Sequence, residues 1–280
     1  MAGYPRPEIV ATTDWLAANL ARPDVRVIDV RWRPDGSGAA VHAAGHLPGA
    51  TYLDWLAALV DRDEETGVLH LAGADRVGAA LAEAGVRADT TAVLYDDVAG
   101  LYAARTWWSL LVYGLTSVRI LDGGYRAWTE GGGEVATAPA APPPGTFKPS
   151  LQPGLRLLTS DIQGLIGTAG VLLVDARATA EYHGFEGNTR RLGHIPGAVN
   201  LPVASLTEPG TGRFQPSQRL HELLLKANIV RGRRIVCYDG SGVAAAKLAY
   251  MLTLAGYDDI AVYDGGWAEW GDRLDLPVDR

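Results

Sequence analysis

The hexapeptide Gly45-His46-Leu47-Pro48-Gly49-Ala50 returns 148 positions later as Gly193-His194-Ile195-Pro196-Gly197-Ala198, and it does not return alone. Ahead of each copy stands a run ending in Asp and Arg, Val27-Ile28-Asp29-Val30-Arg31 and Leu173-Val174-Asp175-Ala176-Arg177, 146 positions apart. Behind each copy stands Leu121-Asp122-Gly123-Gly124-Tyr125-Arg126-Ala127-Trp128 or Tyr263-Asp264-Gly265-Gly266-Trp267-Ala268-Glu269-Trp270, 142 apart. Landmarks in one order, with offsets that drift by only a few residues, describe one domain written twice with small loop differences. Two copies are too few for a stacked solenoid. The length of 280 residues suits two ordinary domains.

Between the copies, residues 136 to 154 hold Pro139, Pro142, Pro143, Pro144, Pro149 and Pro153 among alanines and glycines. Prolines remove backbone donors and favour extended chain, so this stretch reads as a semi-rigid linker. The expected division is an N-terminal domain over 8–135, the linker over 136–154 and a C-terminal domain over 155–280. Within each half, short β-branched runs alternate with helical patterns. In the first, Val25 to Val30, Ala92 to Tyr95 and Val118 to Leu121 read as strands, and Asp75 to Ala84 and Ala99 to Tyr113 as helices. In the second, Val171 to Val174, Arg234 to Tyr238 and Ile260 to Val262 match those strands, with helices over Ser217 to Ala227 and Val243 to Ala255. Apolar strands with intervening helices imply α/β domains, each a small, mainly parallel sheet covered by helices. Sites in such sheets lie at the carboxyl ends of the strands.

Charge excludes some partners. Lys and Arg total 25 against 32 Asp and Glu, a net −7 with no long basic block, which disfavours nucleic acid. No run reaches membrane-span length and the N-terminus has no apolar core of signal-peptide length, so a cytoplasmic protein without a membrane partner is expected. A single cysteine, Cys237, leaves no internal disulfide and no Cys-rich metal site, and neither metal nor cofactor is expected.

The stretch most suited to chemistry is Ile235-Val236-Cys237-Tyr238-Asp239-Gly240-Ser241-Gly242-Val243-Ala244, in which a buried strand runs through a glycine-rich loop into an alanine-rich helix. Loop amides and the first helical turn aim unsatisfied N–H groups at one spot, forming an anion cradle from Gly240, Ser241, Gly242, Val243 and Ala244. Asp239 stands at its mouth. The paired Asp-x-Arg strands, the paired Gly-His-x-Pro-Gly-Ala turns, Tyr95-Asp96-Asp97 followed by Ala103-Ala104-Arg105, and the Asp-Gly-Gly-x-x-x-Trp endings together resemble the tandem rhodanese sulfurtransferases, which act on thiosulfate or 3-mercaptopyruvate. The resemblance covers nearly the whole chain. It implies a silent first domain and a second domain whose loop begins with a cysteine. That cysteine takes a sulfane sulfur as a persulfide and passes it to cyanide or a thiol. A small sulfur anion and a thiol acceptor are then the partners of an active protein, an unidentified protein is the partner of an inactive one, and the family-like expectation is a monomer.

The family loop resembled here, Cys-Gly-Ser-Gly-Val, superposes on Asp239-Gly240-Ser241-Gly242-Val243. Two readings stay open. In one, Asp239 occupies the nucleophile position, as Asp96 does after Val93-Leu94-Tyr95, and its carboxylate stays ionised in the cradle and mimics a persulfide that it cannot form. In the other, the loop starts two residues earlier, the strand ends at Val236, and Cys237 is a displaced nucleophile. An isolated cysteine in an apolar strand is more often buried filling. The family's substrate arginine falls on Glu181, and the loop has no lysine, which leaves Arg190 and Arg191 to contact an anion. His46 and His194 sit in turns, where bonds to the backbone are the expected use. Asp29 with Arg31 and Asp175 with Arg177 are expected to brace loops, Gly131-Gly132-Gly133 to end a helix, and the eight tryptophans to pack chiefly between domains. Sulfur transfer is therefore implied by the resemblance. A rhodanese pair retained for binding or regulation is the alternative.

Overall fold

The computed structural model describes residues 3–280. The first half contributes β1 (Val10–Ala11), β2 (Val25–Asp29), β3 (Thr51–Tyr52), β4 (Val60–Arg62), β5 (Leu69–Leu71), β6 (Thr91–Tyr95) and β7 (Val118–Leu121). The second contributes β8 (Arg156–Leu157), β9 (Val171–Asp175), β10 (Val199–Asn200), β11 (Arg234–Tyr238) and β12 (Ile260–Tyr263). Two five-stranded parallel sheets result, in the orders β1-β7-β6-β2-β3 and β8-β12-β11-β9-β10. Matched strand for strand, the two orders are the same, which is the repeat restated in three dimensions. The copies differ most at the antiparallel hairpin β4–β5, whose counterpart in the second half shrinks to the bridge Thr207↔Phe214.

Alternate residues of a strand face opposite sides of its sheet, and here they enter different cores. Val27, Val93 and Tyr95 face an outer cluster closed by Leu16, Leu47 and Trp128. Leu173, Val236 and Tyr238 do the same in the second half with Trp267 and Trp270. The opposite faces, with Ile28, Leu94 and Ile120 from one half and Val174, Ile235 and Cys237 from the other, meet in one cluster that spans both halves. The helices Leu101–Val112 and Val243–Leu254 lie across the middle of that shared cluster. The tryptophans divide accordingly. Trp107 meets Tyr250 of the other half edge to face at 5.2 Å, whereas Trp128, Trp267 and Trp270 cap the outer faces. The expectation that tryptophans serve chiefly the contact between halves is therefore corrected, because the outer sheet faces also need bulky cover.

The helix expected from Ala99 begins at Leu101, since Gly100 turns left-handed at φ 77°. Residues 136–154 run extended along the first half: Gly145 and Phe147 donate N–H bonds to the carbonyls of Ala82 and Val86, and Ser150 and Gln152 to those of Tyr113 and Val112. No helix among the described residues is long and apolar enough to cross a membrane.

Candidate functional site

The loop 239–242 leaves the carboxyl end of β11, the central strand of its sheet, and enters the helix Val243–Leu254. Gly242 caps that helix at φ 79°, and a Cβ there would come within 2.5 Å of the Arg105 guanidinium, so both conformation and space require glycine. The Asp264-Gly265-Gly266 turn braces the loop from outside. Trp267 donates its N–H to the Asp239 carbonyl at 2.6 Å and Ala268 donates to the Gly240 carbonyl at 3.0 Å. A Cβ on Gly266 would sit 2.5 Å from that Asp239 carbonyl oxygen, and one on Gly124 would sit 2.1 Å from the Asp96 carbonyl oxygen. The repeated Asp-Gly-Gly thus exists so that each turn can press its backbone against its own loop.

The Asp239 side chain folds back into the cradle, 6% exposed, and accepts the Gly242 N–H at 2.6 Å and the Ala244 N–H at 3.1 Å. Burial raises its pKa, with the amides of Ala244, Ala245, Ser241 and Gly242 opposing the rise. Desolvation opposes the ionised form expected of this side chain, and the loop amides offset it only in part. Asp96 repeats the arrangement with four amides, those of Val98 (3.0 Å), Gly100 (2.8 Å), Tyr102 (2.8 Å) and Ala103 (3.0 Å), and burial raises its pKa too. Cys237 is fully buried within the ladder, opposite Val174 and Val262, and packs into the shared core. Burial, followed by the Asp239 charge, pushes its thiol far up. The longer loop starting at Cys237 is corrected: β11 continues through Tyr238, because ending it at Val236 would unpair buried backbone groups.

Each half also reaches into the other. Arg105, fully buried, donates from Nη1 to the Gly242 carbonyl at 3.1 Å and from Nη2 to Asp264 Oδ1 at 2.9 Å. Asp264 Oδ2 accepts from Arg156 Nε at 2.8 Å and from the Leu71 N–H at 2.6 Å. Burial works against ionising Asp264, and the two arginines and that amide overcome it, holding its pKa low. Lys247 stands 142 positions after Arg105 and points the same logic the other way. Burial lowers its pKa to about 8, with the charge of Asp96 in the first half opposing. Arg105 and Asp264 entered the sequence reading only as members of repeated motifs, and Lys247 was not singled out, although a lone lysine in an alanine-rich helix was the available signal for it.

The braces are as expected. Arg31 donates to Asp29 at 2.6 Å and to the Gly45 carbonyl at 2.7 Å, and Arg177 donates to Asp175 at 2.5 Å and to the Gly193 carbonyl at 2.7 Å. His46 and His194 spend their Nδ1 atoms on the carbonyls of His42 and Tyr182. Glu181 accepts the Ala178 N–H at 3.2 Å and caps the short helix Thr179–Tyr182. The two arginine candidates separate. Arg191 ties its guanidinium to the carbonyls of Trp270, Arg273 and Leu276, stapling the C-terminal segment. Arg190 anchors only its backbone N–H, to Asp272 at 2.7 Å, and its side chain lines a cavity between the halves.

Twin parallel sheets, each with a glycine loop leading into a helix, define a tandem of rhodanese-like domains. The rhodanese-like domain family matches residues 12–131 and 158–273, and the chain belongs to that family. It is 36% identical to SseB of Mycobacterium tuberculosis over 283 residues, covering 98% of each chain. It is 31% identical to the sulfur carrier protein TtuD of Thermus thermophilus over 290 residues, covering 99% of this chain and 98% of that one. The crystal structure of the Escherichia coli 3-mercaptopyruvate enzyme SseA superposes with a TM-score of 0.83 at 27% identity, covering 92% of this chain and 98% of that one.

Proposed function

We propose that this chain keeps the rhodanese sulfurtransferase scaffold while its second-domain loop is closed to persulfide-based transfer. On this reading Asp239 stands where the family's nucleophilic cysteine would, inside a cradle made by Gly240, Ser241, Gly242, Val243 and Ala244. The observation that carries it is the pair of N–H bonds from Gly242 and Ala244 to the Asp239 carboxylate. Donors that would stabilise a persulfide anion are spent on a side chain that cannot hold a sulfane sulfur. Asp96 spends its loop amides in the same way. Transfer from thiosulfate or 3-mercaptopyruvate to cyanide or a thiol is then very weak or absent. The pair serves as a binding or regulatory module, a cytoplasmic monomer toward a partner protein or a small ligand, with Arg190 as the basic side chain left free to meet it.

The second reading, a working sulfurtransferase carried by Cys237, is favoured by relatives named for sulfur transfer, such as the Escherichia coli 3-mercaptopyruvate sulfurtransferase. It requires a buried thiol with a raised pKa to become a thiolate in contact with substrate. Cyanide-dependent thiocyanate formation from thiosulfate and from 3-mercaptopyruvate separates the two. The proposal expects a silent native protein and measurable turnover after Asp239→Cys. Native turnover that Cys237→Ala abolishes overturns it.

A further inference from the structure

Toward the far ends of the helices Leu101–Val112 and Val243–Leu254, away from the loops at their starts, a cavity of about 100 Å³ lies between the halves. Trp107 and Trp108 of the first helix face Ala249 and Thr253 of the second across it, and Ile260 and Val262 of β12 complete the wall. Arg6, from the N-terminal segment, pairs with Asp258 of the second half at its rim. Apart from that rim the cavity is interior rather than a surface groove, since Trp107, Trp108, Ala249 and Val262 are each at most 3% exposed.

The repeat explains why space is left here. Ala249 stands 142 positions after Trp107, the interval that also separates Lys247 from Arg105 and Gly242 from Gly100. Equivalent helical positions thus carry an indole in one half and a methyl in the other. The indole fills its side of the contact, edge to face on Tyr250 at 5.2 Å, and the methyl leaves a gap beside it. Protein interiors have few voids larger than a water molecule, so a gap of this size against the shared cluster stands out.

The walls select the occupant. Polar groups at the margin are already spent: the Trp108 indole N–H donates to the Leu155 carbonyl at 3.3 Å, the Thr253 hydroxyl to the Ala249 carbonyl at 2.9 Å and the Tyr257 hydroxyl to the Ile229 carbonyl at 2.9 Å, while Arg6 and Asp258 hold each other. A charged or strongly polar molecule would lose its water there without gaining partners. Size sets the upper limit. The cavity, at about 100 Å³, is well below the roughly 300 Å³ of the smallest drug-sized sites and near the roughly 150 Å³ of engineered apolar cavities that take up benzene or xenon. We propose that it binds a small neutral apolar molecule, at most one aromatic ring in size, in contact with both halves. This site is independent of whether the loop 239–242 carries sulfur.

The test is a heteronuclear NMR titration of the full chain with benzene, with benzoate and benzylamine as controls that place a charge on the same ring. Saturable shifts of the Trp107 and Trp108 indole signals are expected with benzene and with neither control. Ala249→Leu, which fills the space from its own wall, should weaken benzene binding about tenfold or more. Thr253→Val, close in shape and less polar, should bind benzene at least as tightly as the native protein, and it tests the site even if leucine disturbs the contact between the helices. Overturning results are no saturable benzene shift, shifts centred away from the two tryptophans, a folded Ala249→Leu that binds as tightly as native, weaker binding by Thr253→Val, or a charged control that binds as tightly as benzene.

Discussion

At the scale of a residue, the same carboxylate is pulled in two directions. The loop amides favour the charged form of Asp239, while burial favours the neutral form and prevails, so its pKa is raised. The consequence for stability has a definite sign. Between the unfolded aspartate value of about 3.9 and the raised native value, the folded protein binds more protons than the unfolded chain. Stability contributed by Asp239 is therefore greatest in acid, falls as pH rises through that window, and levels off above it. Asp96 behaves alike, whereas Asp264, whose pKa is lowered, contributes in the opposite sense. The difference between native protein and Asp239→Asn isolates the one group. Urea unfolding from pH 4 to 7 should show the native protein losing stability relative to the variant as pH rises. Parallel curves would mean that the cradle holds the carboxylate at its ordinary value.

At the scale of an element, the loop and the turn behind it form a unit made possible by two glycines. Gly266 combines a left-handed φ of 58° with a Cβ position 2.5 Å from the Asp239 carbonyl. Gly49 has a similar φ of 72° and nothing within 4 Å. Comparing alanine at the two sites separates backbone strain from collision. Gly49→Ala should cost about 1 kcal/mol from conformation alone, and Gly266→Ala should cost at least about 2 kcal/mol more, because the backbone of the loop must move. Equal losses by denaturant titration would show that the turn does not support the loop. The Asp-Gly-Gly repeat was legible as a motif, and its strands and helices followed from apolar runs that alternate with amphipathic ones. Its purpose was not legible, because the atom that excludes a side chain at Gly266 belongs to a residue 27 positions earlier. Arg190 and Arg191 show the same limit. As neighbours in sequence they were equivalent candidates, and only the path of the C-terminal segment makes one a staple and leaves the other facing a cavity.

At the scale of the whole molecule, duplication explains more than a doubled length. Each copy lends its partner an anchor: Asp264 holds the Leu71 N–H of the first half at 2.6 Å, and Asp122 holds the Phe214 N–H of the second at 2.7 Å. The inner faces of both sheets drain into a single apolar cluster with no seam between halves. Neither half can therefore lose its structure without exposing the core of the other, and unfolding should be cooperative across both despite a chain of two-domain length. Arg105 is the sharpest probe, because it is carried by the first half and neutralises Asp264 in the second, with both side chains fully buried. Removing Arg105 leaves the buried Asp264 charge to Arg156 and the Leu71 N–H alone, so the cost falls at the low end of the range for a broken buried pair, about 3 kcal/mol. Differential scanning calorimetry should show one transition for the native protein, with calorimetric and van't Hoff enthalpies in agreement. Arg105→Ala should shift that whole transition downward. If the variant instead splits the trace into an early first-half event and an unmoved second-half event, the common cluster does not couple the copies. Arg105 would then be a local support for its own helix.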